Sequence, residues 1–290
     1  GDPKYYDYDS SAKVCRKIVN GLIKHKQEND LSYIPYDDAC DIANNVVKRY
    51  TSKRGIIEDL VHEGLLSKNL YWLDGGQDEE GIYFAYERLD DHFLADLIAR
   101  TIITSKNISN IFKVGGELFY LIQNEYRYQG VIEALSILLP ELHGKDLFEL
   151  VDQNYHEEQT IIDAFINSLI WRDLDTIKSN CNDYINNTVT QYEDSFHSFL
   201  EFMYTVAGDV KHPYNANKLH NFLVGMPLAD RDAEWTIHLR YVYEPESSID
   251  KMLEWLLQSD IHKTLSDESA LLVSISVSWL LTSTTLELRN

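Results

Sequence analysis

Apolar residues recur at helical spacing along almost the whole chain, and that rhythm breaks decisively once, between Leu65 and Tyr86. There Leu70-Tyr71-Trp72-Leu73 is followed by Asp74-Gly75-Gly76-Gln77-Asp78, and then by an aromatic-rich run from Gly81 to Tyr86. Aromatic and aliphatic runs on either side of a Gly-Gly turn read as strand, turn, strand. A lone hairpin in water is marginal, so it must pack on helices nearby.

Three helices lead up to it. From Ser10 to Lys26, Val14, Ile18, Leu22 and Ile23 form an apolar stripe with lysines between. After Ile34-Pro35, Asp37 and Asp38 open a second helix along Ala39, Ile42, Val46 and Val47, which closes on Lys48 and Arg49 as the helix dipole favours. Ser52 is placed to cap a third helix through Ile56, Ile57, Leu60 and Val61, ending at Gly64. Helices followed by a hairpin give the chain plan of a winged helix. The run Asp90 to Ile103 then continues as a helix with Phe93, Leu94, Leu97 and Ile98 as its buried stripe.

Beyond Ser105 the pattern is helical almost throughout. The predicted segments are Leu118 to Glu125, Val131 to Leu138, Gln159 to Trp171, Asp173 to Thr188, Tyr192 to Val206, Asn215 to Val224, Arg231 to Tyr243, Ser248 to Leu257 and Asp267 to Leu281. Val273 to Val277 alternates with serine like a strand. The length of the run and a capping box from Thr264 to Asp267 favour a helix, its serine face admitting a close neighbour. The fold class expected is therefore mainly α: a small winged-helix domain of three helices plus a β-hairpin, then an irregular α-solenoid of helix pairs. Residues 1–30 are read as a helix packing on the winged helix, 31–104 as the winged helix, and 105–290 as the helical array, which has no stop signal at its polar end.

Charge limits the functions open to such a chain. With 26 basic and 47 acidic residues the formal net charge is -21, a field that repels polyphosphates. Cys15, Cys40 and Cys181 are odd in number and widely spaced, which fits neither a disulfide framework nor a zinc ribbon and points to a reducing, cytoplasmic setting. The most apolar run, Ala270 to Leu281, falls well short of the ~20 residues that span a bilayer.

The stretch Arg54-Gly55-Ile56-Ile57-Glu58-Asp59-Leu60-Val61-His62-Glu63-Gly64-Leu65-Leu66, the hairpin, and Gly81-Ile82-Tyr83-Phe84-Ala85-Tyr86-Glu87-Arg88-Leu89-Asp90-Asp91-His92-Phe93-Leu94-Ala95 resemble the winged helix that follows the nucleotide-binding core in STAND-class NTPases, particularly bacterial antiviral (Avs-type) ATPases. His212-Pro213-Tyr214-Asn215-Ala216, Arg231-Asp232-Ala233-Glu234-Trp235 and Trp279-Leu280-Leu281-Thr282-Ser283 are similar to the helical segment these proteins carry next. The resemblance implies a lid over a nucleotide-binding core, with an arm that senses a protein ligand. It also implies ATP or ADP as the ligand of the parent protein, held outside this segment. The family's phosphate-binding loop is missing here: Gly144-Lys145 is followed by Asp146, and Leu139 stands where the first glycine belongs. The segment is read as non-catalytic.

Where related proteins place a phosphate-touching histidine, this chain has Tyr86, with Arg88 beside it. These two are the nucleotide-facing residues the resemblance implies. The plainer reading packs Tyr86 on the hairpin and gives Arg88 a surface ion pair. As an alternative function, Lys48, Arg49, Lys53 and Arg54 could meet DNA phosphates. Against that stand Glu58, Asp59 and Glu63 on the same helix and Asp74, Asp78, Glu79 and Glu80 on the hairpin. His212, His220 and His238 lack metal-ligand spacing, and no nucleophile motif occurs. Carboxylate pairs such as Asp90-Asp91 lie at helix starts, where the dipole accounts for them. Tyrosine clusters, Tyr120, Tyr126 and Tyr128 or Tyr241 and Tyr243, read as seams between stacked helices.

Overall fold

The computed structural model describes residues 13–47, 54–72, 78–257 and 265–282. It is mainly helical with one small antiparallel sheet, as the periodicity predicts. The order is α1 (Val14–Glu28), β1 (Ile34–Pro35), α2 (Tyr36–Val46), α3 (Ile56–His62), β2 (Leu66–Trp72) and β3 (Asp78–Phe84), with β3 between β1 and β2. This is winged-helix topology. β1 was not foreseen, since a two-residue strand has no period to read. It forms because Ile34 pairs with Ile82, both buried, while Pro35 faces Gly81 and its fixed φ of -51° starts α2 directly. Gly81 has a second reason: a Cβ there would strike the rings of Tyr33 and Tyr71, which stack at 3.8 Å.

α1 buries Val14, Ile18, Val19, Leu22 and Ile23 against α2 and α4 (Glu87–Leu97). At ~1.5–3 kcal/mol for each fully buried aliphatic side chain, this stripe ties α1 firmly into the domain's core. α3 ends on Gly64, left-handed at φ 75° as predicted, and the chain turns into β2. Ser52, Lys48, Arg49, Lys53, Asp74, Thr264 and Ser283 lie outside the described residues.

The array follows as α5 (Phe119–Gln123), α6 (Gln129–His143), α7 (Leu147–Leu150), α8 (Gln159–Trp171), α9 (Ser179–Asn187), α10 (Glu193–Thr205), α11 (Ala216–Gly225), α12 (Leu228–Val242), α13 (Ser248–Leu257) and α14 (Asp267–Leu280). α4 packs on α6, α6 on α8, α8 on α10, and α11 on α14, so the ladder of helices starts inside the winged helix. One apolar core runs without a break from Val14 to Leu280. The bounds of α8 and α13 coincide with the predicted ones. The segment from Asp173 starts later, because a 3-10 turn at Leu174–Thr176 precedes α9. Val273 to Val277 is helical and is capped by Ser266, which accepts from the Ser269 amide. Of its serines only Ser276 is buried, its hydroxyl satisfied by the Leu272 carbonyl; Ser274 and Ser278 face outward.

The tyrosine clusters divide in the same way. Tyr120 and Tyr128 meet edge to face at 5.3 Å, whereas Tyr126 and Tyr241 are exposed. Two of the three array motifs that carry the resemblance include residues that meet in space. Trp235 donates from its indole to Thr282 Oγ1 at 3.1 Å and to the Trp279 carbonyl, and Arg231 lies over the Trp279 ring.

Candidate functional site

A surface depression in two parts follows α4. One part, about 430 Å³, is bounded by α1 through Cys15, Arg16 and Val19, by Leu65, and by Leu89, Phe93 and Leu138. The other, about 650 Å³, is bounded by Arg88, Asp91, Glu133, Glu141, Asn167 and Trp171. Leu89, His92 and Leu138 line both, so the two form one cleft where the winged helix meets the array. Phe93, read from sequence as core, is half-buried because it forms part of this wall.

The polar residues of the two parts differ. In the first, Arg16 and Arg100 both bind Asp96, at 2.6 and 2.5 Å. Burial opposes ionisation of Asp96, but the two guanidiniums hold its carboxyl below the usual range. In the second, among the described residues, Glu133 accepts from the Gln129 amide and Glu141 from the Asp173 backbone, and neither makes an ion pair. Asp91 is half-buried against Gly130 at the start of α6. Burial, with Asp90 and Glu87 beside it, pushes its carboxyl up to about 6. The neighbouring Asp90 takes Lys26, so the helix-start explanation covers Asp90 and not Asp91.

Tyr86 is 68% exposed at the start of α4. Arg88 is exposed, lines the acidic part, and makes no ion pair among the described residues, which corrects the surface-pair reading. A polyphosphate placed in that part would face three carboxylates against one guanidinium, so the cleft suits cations.

Of the DNA-contact candidates only Arg54 is described. It is exposed and close enough to Glu58 to lower that carboxyl, although the Lys68 hydrogen bond has the larger effect. Lys68 itself is held by Glu58 and Glu80 and lies 4.7 Å from the Tyr36 ring centroid. One face of the strands presents Asp78 and Glu80 together with exposed Leu70 and Trp72, while Glu79 lies on the other face and accepts from the Tyr33 hydroxyl. This acidic, aromatic face is repelled by a phosphate backbone and suits a protein surface.

Elsewhere the polar groups have structural work. Gly144, left-handed at φ 66°, ends α6, and Asp146 forms a capping box with Glu149, so Gly144-Lys145 is a helix junction. Asp146 is buried in an ion pair with Arg172, which also donates to Cys181 at 3.0 Å. Burial raises that thiol, as does Asp146. His212 accepts from the Tyr214 amide at Nδ1 and therefore donates from Nε2 to the Leu169 carbonyl at 3.0 Å, fixing the loop. His220 accepts from Trp279. His238 is fully buried beside His197, their ring centroids 5.2 Å apart, and burial and that neighbour bring it down to about 3. Both of its ring nitrogens and the hydroxyl of Tyr204 are buried without hydrogen-bond partners. The three histidines thus serve three different neighbourhoods, and among the described residues no group of His, Cys, Asp and Glu could hold a metal ion. No helix among them is long and apolar enough to cross a membrane.

Compared with known proteins, the chain matches no family model, and neither a curated sequence nor a solved structure is significantly similar to it.

Proposed function

We propose that this chain is a non-catalytic regulatory and recognition segment of a larger cytoplasmic STAND-type NTPase with a role in antiviral defence. The winged helix is the conformational lid over a nucleotide-binding core, and the helical array is the arm that engages a protein. The observation that carries the reading is a winged helix whose wing is acidic and aromatic and whose post-hairpin helix is the first rung of a helix ladder. A wing of that kind is built to meet protein, and a shared rung couples movement at one end to contacts at the other. The ion pair that joins the two units supports a separable lid. Arg127 in the turn before α6 binds Asp30 in the turn after α1, both side chains largely exposed, while Arg16–Asp96 and Lys26–Asp90 hold α1 to α4 within the winged-helix unit. An exposed pair of that kind is worth roughly 0–1 kcal/mol and exchanges readily. Tyr86 and Arg88, exposed at the start of α4, are the residues offered to the core's nucleotide, ATP or ADP.

Sequencing the gene on both sides of this segment tests the reading. A frame running upstream into a Gly-rich phosphate loop supports it; a frame that opens at the segment itself, without such a loop, overturns it. In the protein that contains the loop, Arg88→Ala is expected to speed ADP release several-fold in a stopped-flow exchange assay, and an unchanged rate removes Arg88 from the contact.

A further inference from the structure

We propose that the cleft along α4 is the docking site for a short amphipathic, basic helix of a protein partner. This rests on the recognition role proposed above and specifies its surface. Leu89, His92, Phe93 and Asp96 stand at i, i+3, i+4 and i+7 on α4, so the cleft follows about 10 Å of helix axis. A groove that runs along a helix, with apolar Leu89 and Phe93 one turn apart on α4 and Val19, Leu65 and Leu138 across from them, takes another helix whose apolar anchors repeat at helical spacing.

The sign of the partner's charge follows from how the two parts are neutralised. Along the apolar part the charges are mutually satisfied through Asp96 and its two arginines. In the acidic part Asp91, Glu133 and Glu141 make no ion pair among the described residues and outnumber the one lining cation, Arg88, and Asp91 is held half-buried with Asp90 and Glu87 beside it. Trp171, 74% exposed at the end of α8, borders the same part and offers an aromatic face. Carboxylates beside an open indole recognise a lysine ammonium or an arginine guanidinium. The partner therefore carries an apolar stripe ending in one or more basic residues, and binding supplies the positive charge that the cleft lacks.

The test uses a blocked 14-residue Leu/Lys amphipathic helical peptide as probe, with its Leu/Glu counterpart, titrated into the full chain at 150 mM salt by calorimetry. Because the whole chain is acidic, the decisive comparison is between two variants of equal charge. Glu133→Gln with Glu141→Gln alters the cleft, and Glu63→Gln with Glu117→Gln removes two exposed carboxylates elsewhere. The expected result is micromolar binding of the Leu/Lys peptide, weakened at least tenfold by the cleft pair and less than twofold by the control pair. Trp171→Ala is expected to weaken it several-fold, with unchanged circular dichroism. Equal losses in both pairs, equal binding of the Leu/Glu peptide, no binding at all, or a self-associated chain whose dimer is broken by Ile137→Asp would each overturn the proposal. None of these outcomes bears on whether a phosphate loop lies upstream, so the lid reading fails or survives separately.

Discussion

Two polar systems in this molecule use the same residue types for opposite ends. At the junction of the winged helix and the array, Arg127 meets Asp30 with both side chains largely exposed to water. Deep in the array, Arg172 has no exposed side-chain surface and Asp146 only 6%. Around that pair Phe148 stacks on Tyr184 at 4.0 Å, with Phe165 edge-on to both. An exposed pair can part because water replaces each partner. A buried pair cannot, because the charge left behind has nowhere to go. The array is thus a rigid frame, and its joint with the winged helix is the place where motion costs least.

The comparison breaks most directly at Arg172. Arg172→Ala is expected to cost about 3–5 kcal/mol in urea unfolding, because it strands the Asp146 carboxylate with only the neutral Asn180 amide and Cys181 thiol as side-chain partners outside its own turn among the described residues. Arg172→Met combined with Asp146→Asn should recover most of that loss; a double variant as weak as the single one would show that the pair also holds α8 to the loop before α7. A smaller effect comes from His238. Its folded pKa of about 3 lies below the ordinary 6.5, so both states are neutral above pH 6.5 and stability there is unaffected. As pH falls below 6.5 the unfolded chain binds a proton that the folded one refuses, at about 1.4 kcal/mol per pH unit, or about 2 kcal/mol by pH 5. The loss continues until pH reaches the folded value. His238→Phe should flatten that slope in unfolding curves taken between pH 7 and 5. The smallest effect belongs to the joint: Arg127→Ala is expected to cost less than about 1 kcal/mol while raising amide hydrogen exchange at the end of α1. A loss as large as that of Arg172→Ala would mean that winged helix and array form one inseparable frame.

Much of the fold was legible because periodicity is a local property. The α1 stripe at Ile18 and Leu22, the stop at Gly64, the hairpin and the exact span of α8 each depend on residues within a few turns of one another. β1 escaped notice because two residues make a strand only when β3 is there to pair with them. The cleft was not legible. Asp91, Glu133 and Trp171 each sit on a helix that the sequence predicted, but nothing in the spacing between them says that α4, α6 and α8 pack side by side. Asp90 and Asp91 look equivalent in sequence, and only the neighbouring Lys26 and the α6 start distinguish them. Arg172 likewise reads as an ordinary surface arginine after a helix, although it is the most deeply buried charge in an ion pair among the described residues.

The sequence by itself determined the helical class, the place of the hairpin, the acidic field and the missing phosphate loop, because composition and short-range spacing encode these directly. The tertiary structure alone decided which carboxylates keep a cation and which do not. Ionic partnership depends on distances between elements dozens of residues apart, and those are set by packing one helix face on another.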